Sequence, residues 1–138
     1  MNPTKEEIEM IVKKFQKIAR IEDWDIEVEL KNDAEMNLAC GIEFIPAGFC
    51  TRYREHKKAI LLLNYESEQW KEDWYYVFLH EIHHIVFDDL DYAYETLFDY
   101  MPEKIADKKR GEIKVRKERF ICELAKEFKN AYPKENFF

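Results

Sequence analysis

"VFLHEIHHIVF", Val77 to Phe87, is the stretch on which the reading of this chain turns. Three of the four histidines fall within five residues, interleaved with Leu79, Ile82 and Ile85. The apolar spacing predicts a helix from Ser67 or Glu68 to about Asp89. On such a helix His80 and His84, four residues apart, share one face with Cβ atoms roughly 5–6 Å apart. Two imidazoles so placed reach a single metal ion, and Glu81 beside the first completes the pattern H-E-x-x-H. A zinc ion lowers the pKa of bound water towards neutrality, and a nearby carboxylate takes the proton as the water attacks a carbonyl. His80 and His84 are thus candidate ligands, Glu81 the candidate catalytic base, and Zn2+ the implied cofactor. His83 lies off the ligand pair and is expected in a supporting or surface position.

A catalytic zinc takes three protein ligands and leaves a position for water. No histidine follows the motif, and His56 precedes it in an expected strand connection. Asp88 lies farther along the same helix, where the rise from residue 80 is roughly 12 Å, too long for the three side chains to converge. A carboxylate from another element is therefore expected. In "GEIKVRKERFICELAKEFKNAY" the buried stripe is Ile121, Leu124, Ala125 and Phe128, with Phe120 on its flank. At ~100° per residue Glu118 lies about 60° from Ile121, while Glu123 lies about 160° away, on the opposite face with Glu112. Glu118 is the inward-facing candidate, and Glu95, expected in a loop, is the next one.

Around the motif helix the chain reads as an α+β domain. Thr4 caps a first helix with Glu7 completing a capping box, and Ile8, Ile11, Val12, Phe15, Ile18 and Ala19 form its apolar stripe to near Arg20. "WDIEVEL" alternates as a strand with one wet face does. "CGIEFIPAGFCTRY" reads as two strands broken around Pro46-Ala47-Gly48, and "HKKAILLLN" as a more buried strand. The segment from Asp89 to Gly111 is mixed, with Pro102 breaking it, and a last helix is expected from about Glu112 to Asn130. The expected architecture is an N-terminal helix, a small mixed or antiparallel sheet of about four strands, the motif helix and a glutamate helix. No repeat or Gly/Ser linker divides residues 1–138, so one domain is expected.

Composition narrows the function classes. Hydrophobic residues make up 46% of the 138, enough for a packed core. Runs such as "AILLL" are too short to span a bilayer, and "MNPTKEEIEM" lacks the apolar core of a secretory signal. Cys40, Cys50 and Cys122, an odd number without CxxC spacing, suggest reduced thiols and a cytoplasmic location. The net charge of −7 argues against generic binding to nucleic acid or anionic membrane. Between Glu103 and Arg119, however, eight basic residues face four acidic ones, either a solvated face or a partner-binding patch.

"HEIHH" on a helix, with a glutamate on a following helix, resembles the zincin metallopeptidases of the gluzincin kind. The size and element order are similar to the compact phage and prophage zincins, in the neighbourhood of the ImmA/IrrE and SprT-like families. That resemblance implies peptide-bond hydrolysis in a bacterial or phage-infected cytoplasm, with His80, His84 and Glu118 as zinc ligands and Glu81 as catalytic base and acid. It also implies that "KAILLLN" is the edge strand along which an extended peptide or protein substrate is laid. Tyr92, Tyr94 and Tyr100 are candidates for stabilising the oxyanion or, alternatively, for packing against and covering the site. Two other classes compete. One is a non-catalytic zinc-binding or interaction module, which would need no Glu81 and normally has four protein ligands. The other is a DNA-associated protein using the basic 104–119 segment, for which a steep salt dependence would be diagnostic.

Overall fold

A computed structural model describes residues 2–41 and 45–137. Within them the chain is α+β, with five α-helices and one three-stranded mixed sheet. The first helix, α1 (Lys5–Ala19), opens on the expected capping box. Glu7 N donates to Thr4 Oγ1 at 3.2 Å, and Thr4 N donates to the Glu7 carboxylate at 3.0 Å. It ends at Arg20 in the left-handed conformation. Strand β1 (Asp25–Lys31) buries Ile26 and Val28 and leaves the residues between them wet, as the alternation predicts.

A short helix, α2 (Asp33–Cys40), follows where no element was expected. Its signature is a second capping box, Asn32 with Glu35, yet only Met36 is buried, so the helix carries almost no periodic apolar signal. Cys40 is therefore helical, and Gly41 caps the helix with φ +61°. Of the expected first strand "CGIEFI", Ile45 belongs to no regular element, and 42–44 lie outside the described residues. The sheet among the described residues has three strands, not four: β1, β2 (Gly48–Tyr53) and β3 (Lys58–Asn64).

The strand order β1-β3-β2 corrects a second expectation. "KAILLLN" is the central strand, parallel to β1 and antiparallel to β2, and not an edge. Its nearly continuous burial, with Ala59, Leu61 and Leu63 at 0% exposure, is what a strand paired on both sides and covered by helices requires.

Helix α1 packs on β1, and α3 (Glu68–Val86) packs on β2 and β3. Ile8, Ile11, Val12 and Phe15 from α1 meet Phe78, Leu79, Ile82 and Ile85 from α3 in one apolar core. Helix α4 (Asp88–Phe98) and the long α5 (Glu103–Ala131) complete the chain, with α5 laid along α3. The final helix thus begins nine residues earlier than the apolar stripe indicated, directly after Pro102. Of residues 103–117 only Ala106 is buried, so this half of the helix has no stripe to read. Among the described residues no helix is long and apolar enough to cross a membrane.

Candidate metal centre

Helix α3 is two helices joined at Asp73, whose φ −154° and ψ 78° break the regular run. Asp73 Oδ1 accepts from Tyr76 N at 3.1 Å, so it acts as the N-cap of the segment carrying the motif. Lys129 of α5 pairs with the same carboxylate. The kink sets the direction in which the following turns project their side chains. At the other end, Arg52 of β2 donates to His84 O and to Asp91 at 2.8 Å each, and Lys117 of α5 pairs with Asp91 at 3.0 Å. Sheet, motif helix and glutamate helix are therefore clamped together on both sides of the histidines.

Between the clamps, His80 Nε2 lies 3.2 Å from one oxygen of Glu118, and His84 Nε2 lies 3.4 Å from the other. The two imidazole rings stand 5.3 Å apart. One donor atom from each of His80, His84 and Glu118 falls within 4.8 Å of the other two, the arrangement of a three-ligand site. The helical phase of Glu118 is thus matched by its position. Glu123 is exposed and pairs only loosely with Lys126, at 3.9 Å. Glu95 sits on α4 and not in a loop, held by Arg110 at 3.2 Å and away from the histidines. Asp88 is buried under Arg54 at 2.6 Å, and His56 is exposed in a 3-10 turn (Arg54–His56).

His83 is buried among rings, edge-on to Phe15 of α1 and Phe128 of α5, with Nδ1 2.6 Å from Leu79 O. Burial pushes its pKa down, as suits a neutral ring that ties three elements of the core together. Burial also opposes charge on His80. The hydrogen bond to Glu118 and the fields of Glu81, Cys122 and Glu118 outweigh it and raise His80 to about 9. At His84 burial lowers the pKa despite Glu118, with the His80 charge adding to the effect. The hydrogen bond from His80 in turn lowers Glu118. Two nitrogens and a carboxylate that favour one positive charge among them, and resist a second proton, form a donor set suited to a small cation.

Glu81 is 8% exposed, beside the cluster. Burial, opposed by the His80 charge and reinforced by that of Glu118, raises its pKa to about 7, the range useful to a general base at neutral pH. The backbone leaves room for it at Gly48, the first residue of β2. A Cβ built there would stand 2.6 Å from Glu81 Cγ. Sequence reading placed Gly48 in a chain break, although a glycine in a strand is a recognised sign of close approach. Gly48→Ala is expected to displace the Glu81 carboxylate. Metal affinity should remain near that of the unaltered chain, because Glu81 is not among the three converging ligands, and metal titration of the two chains checks it.

His80 and Glu81 border a cleft of about 890 Å3 between the segment Pro46–Gly48 and the α3–α5 seam, with Tyr76, Cys122 and Lys126 in its walls. Tyr92, Tyr94 and Tyr100 do not line it. Tyr92 lies under Arg54, Tyr94 stacks on Phe98, and Tyr100 is 86% exposed. The tyrosine in the cleft is Tyr76, missed in the sequence because it precedes the motif by one turn. Within the basic segment, Arg110, Lys109 and Lys117 already pair with acidic neighbours on α4 and α5, and the other basic side chains are exposed. In comparisons with known proteins, no protein-family model, curated protein or solved structure matched the chain.

Proposed function

We propose that this protein is a zinc-dependent metallopeptidase. The observation that carries the reading is the convergence of His80, His84 and Glu118 from two separate helices, with a buried Glu81 beside them at the wall of a cleft. These three residues would hold the ion, which when bound acidifies a water and polarises the scissile carbonyl. Glu81 accepts the proton of the attacking water and returns it to the leaving amine. Its burial keeps bulk water from competing for that proton. An extended peptide is proposed to add along β2, an edge strand that opens on the cleft at Gly48, in place of the central β3.

The test is metal content and turnover of the chain expressed without a histidine tag. One zinc per chain is expected, lost in His80→Ala and in His84→Ala, together with zinc-dependent cleavage of an unstructured protein substrate. Stoichiometric zinc in the doubly substituted chain would remove the site. Zinc without cleavage of any peptide would favour a non-catalytic zinc module instead.

A further inference from the structure

Resting on the metal site proposed above, we propose that Cys122 is the residue that positions His80 for metal binding, with Tyr76 beside it in the cleft wall. Cys122 Sγ lies 3.6 Å from His80 Nδ1, the ring nitrogen turned away from Glu118. Tyr76 shares the cleft wall with Cys122, and its ring lies 6.3 Å from that of His80. Cys122 is one helical turn beyond Glu118 on α5, so a single helix presents both the carboxylate on the metal side of His80 and the sulfur on its other side.

The chemistry favours such a partner. His80 faces the cluster through Nε2, so as a ligand its lone pair is on Nε2 and its proton on Nδ1. Sulfur then accepts the Nδ1–H, which fixes both tautomer and ring orientation. Among the described residues no hydrogen bond reaches Nδ1 of His84, so Cys122 is the one such anchor found for the two ligating rings. A sulfur is a weak acceptor compared with the carboxylates and carbonyls that more often hold ligating histidines.

Three variants test the assignment by zinc competition against a chromophoric chelator: Cys122→Ser, Cys122→Val and Cys122→Ala. Cys122→Ser keeps an acceptor and should hold zinc close to the level of the unaltered chain. Cys122→Val and Cys122→Ala remove it and should bind zinc about 10–100-fold more weakly. Melting of each metal-free variant separates a positioning effect from misfolding. Nitrogen-detected NMR of the zinc-loaded unaltered chain supplies a reading that needs no substitution: His80 should show a protonated Nδ1 and a coordinated Nε2. Undiminished affinity in both Cys122→Val and Cys122→Ala, or coordination through Nδ1 of His80, would overturn the role of Cys122 while leaving the metal site standing. Absence of zinc binding in the unaltered chain would remove the metal site, and this inference with it.

Discussion

Glu81→Gln is expected to keep zinc, lose hydrolysis and make the metal-free protein more stable at neutral pH. The catalytic loss follows from the amide, which cannot take a proton from water. General acid–base groups contribute roughly 10²–10⁴-fold, so turnover should fall at least that far. The stability gain follows from where the carboxyl sits. Burial raises Glu81 from 4.5 to about 7 in the folded chain, so the folded state holds that proton more tightly than the unfolded state does. Its favourable contribution is complete below pH 4.5 and is lost as pH rises through about 7. At ~1.36 kcal/mol per pKa unit, ionised Glu81 costs the metal-free fold about 3 kcal/mol above pH 8. Gln has nearly the shape of the protonated acid and no charge to bury. Denaturant melts of the two metal-free chains should therefore converge near pH 4 and separate progressively towards pH 8, with Glu81→Gln the more stable. Equal stabilities at pH 8 would mean that the carboxylate is solvated, and unchanged turnover would eliminate its role as the base.

The candidate metal centre was legible in the sequence to the extent that its geometry is helical. His80, Glu81 and His84 follow from the spacing of one turn, and Glu118 from the phase of α5 against Ile121 and Ala125. Periodicity carries that information because both helices bury a face at those positions. It fails where burial stops. The first half of α5 is nearly all exposed, and α2 buries only Met36, so neither has a stripe to read. The caps were the surviving signal for α2, where Asn32 and Glu35 form the same device as Thr4 and Glu7. The break at Asp73 was hidden for a different reason. Its side chain caps the next segment from within an unbroken amphipathic pattern, and its partner Lys129 is 56 residues away. Strand order was equally out of reach. The apolar run of β3 announced a buried strand, which is better suited to the centre of the sheet than to the edge assigned by resemblance. Gly48 and Cys122 share this limit, since what each touches on α3 is a product of tertiary packing.

Glu118→Ala is expected to weaken zinc binding at least ~100-fold, more than loss of an outer hydrogen-bond partner does. The carboxylate is the only member of the cluster contributed by α5, and its two oxygens address one histidine each. Without it two imidazoles on one helix remain, and the ion no longer ties α3 to α5. Metal that joins α3 to α5 stabilises the fold by mass action, by about 2.7 kcal/mol at a hundredfold excess over Kd. A ~100-fold loss of affinity removes most of that term, which for a chain of this length corresponds to about 10 °C in the zinc-induced rise of Tm. Glu123→Ala, on the exposed face of the same helix, loses only a 3.9 Å surface pair and should leave both quantities nearly unchanged. Glu95→Ala breaks the contact with Arg110 and should lower the metal-free Tm slightly without altering the zinc increment. Calorimetric titration and melting with and without zinc separate the three. A normal titration for Glu118→Ala, or a larger loss for Glu123→Ala or Glu95→Ala, would place the third ligand elsewhere. The zinc increment decides between them because it cancels whatever each substitution does to the metal-free fold.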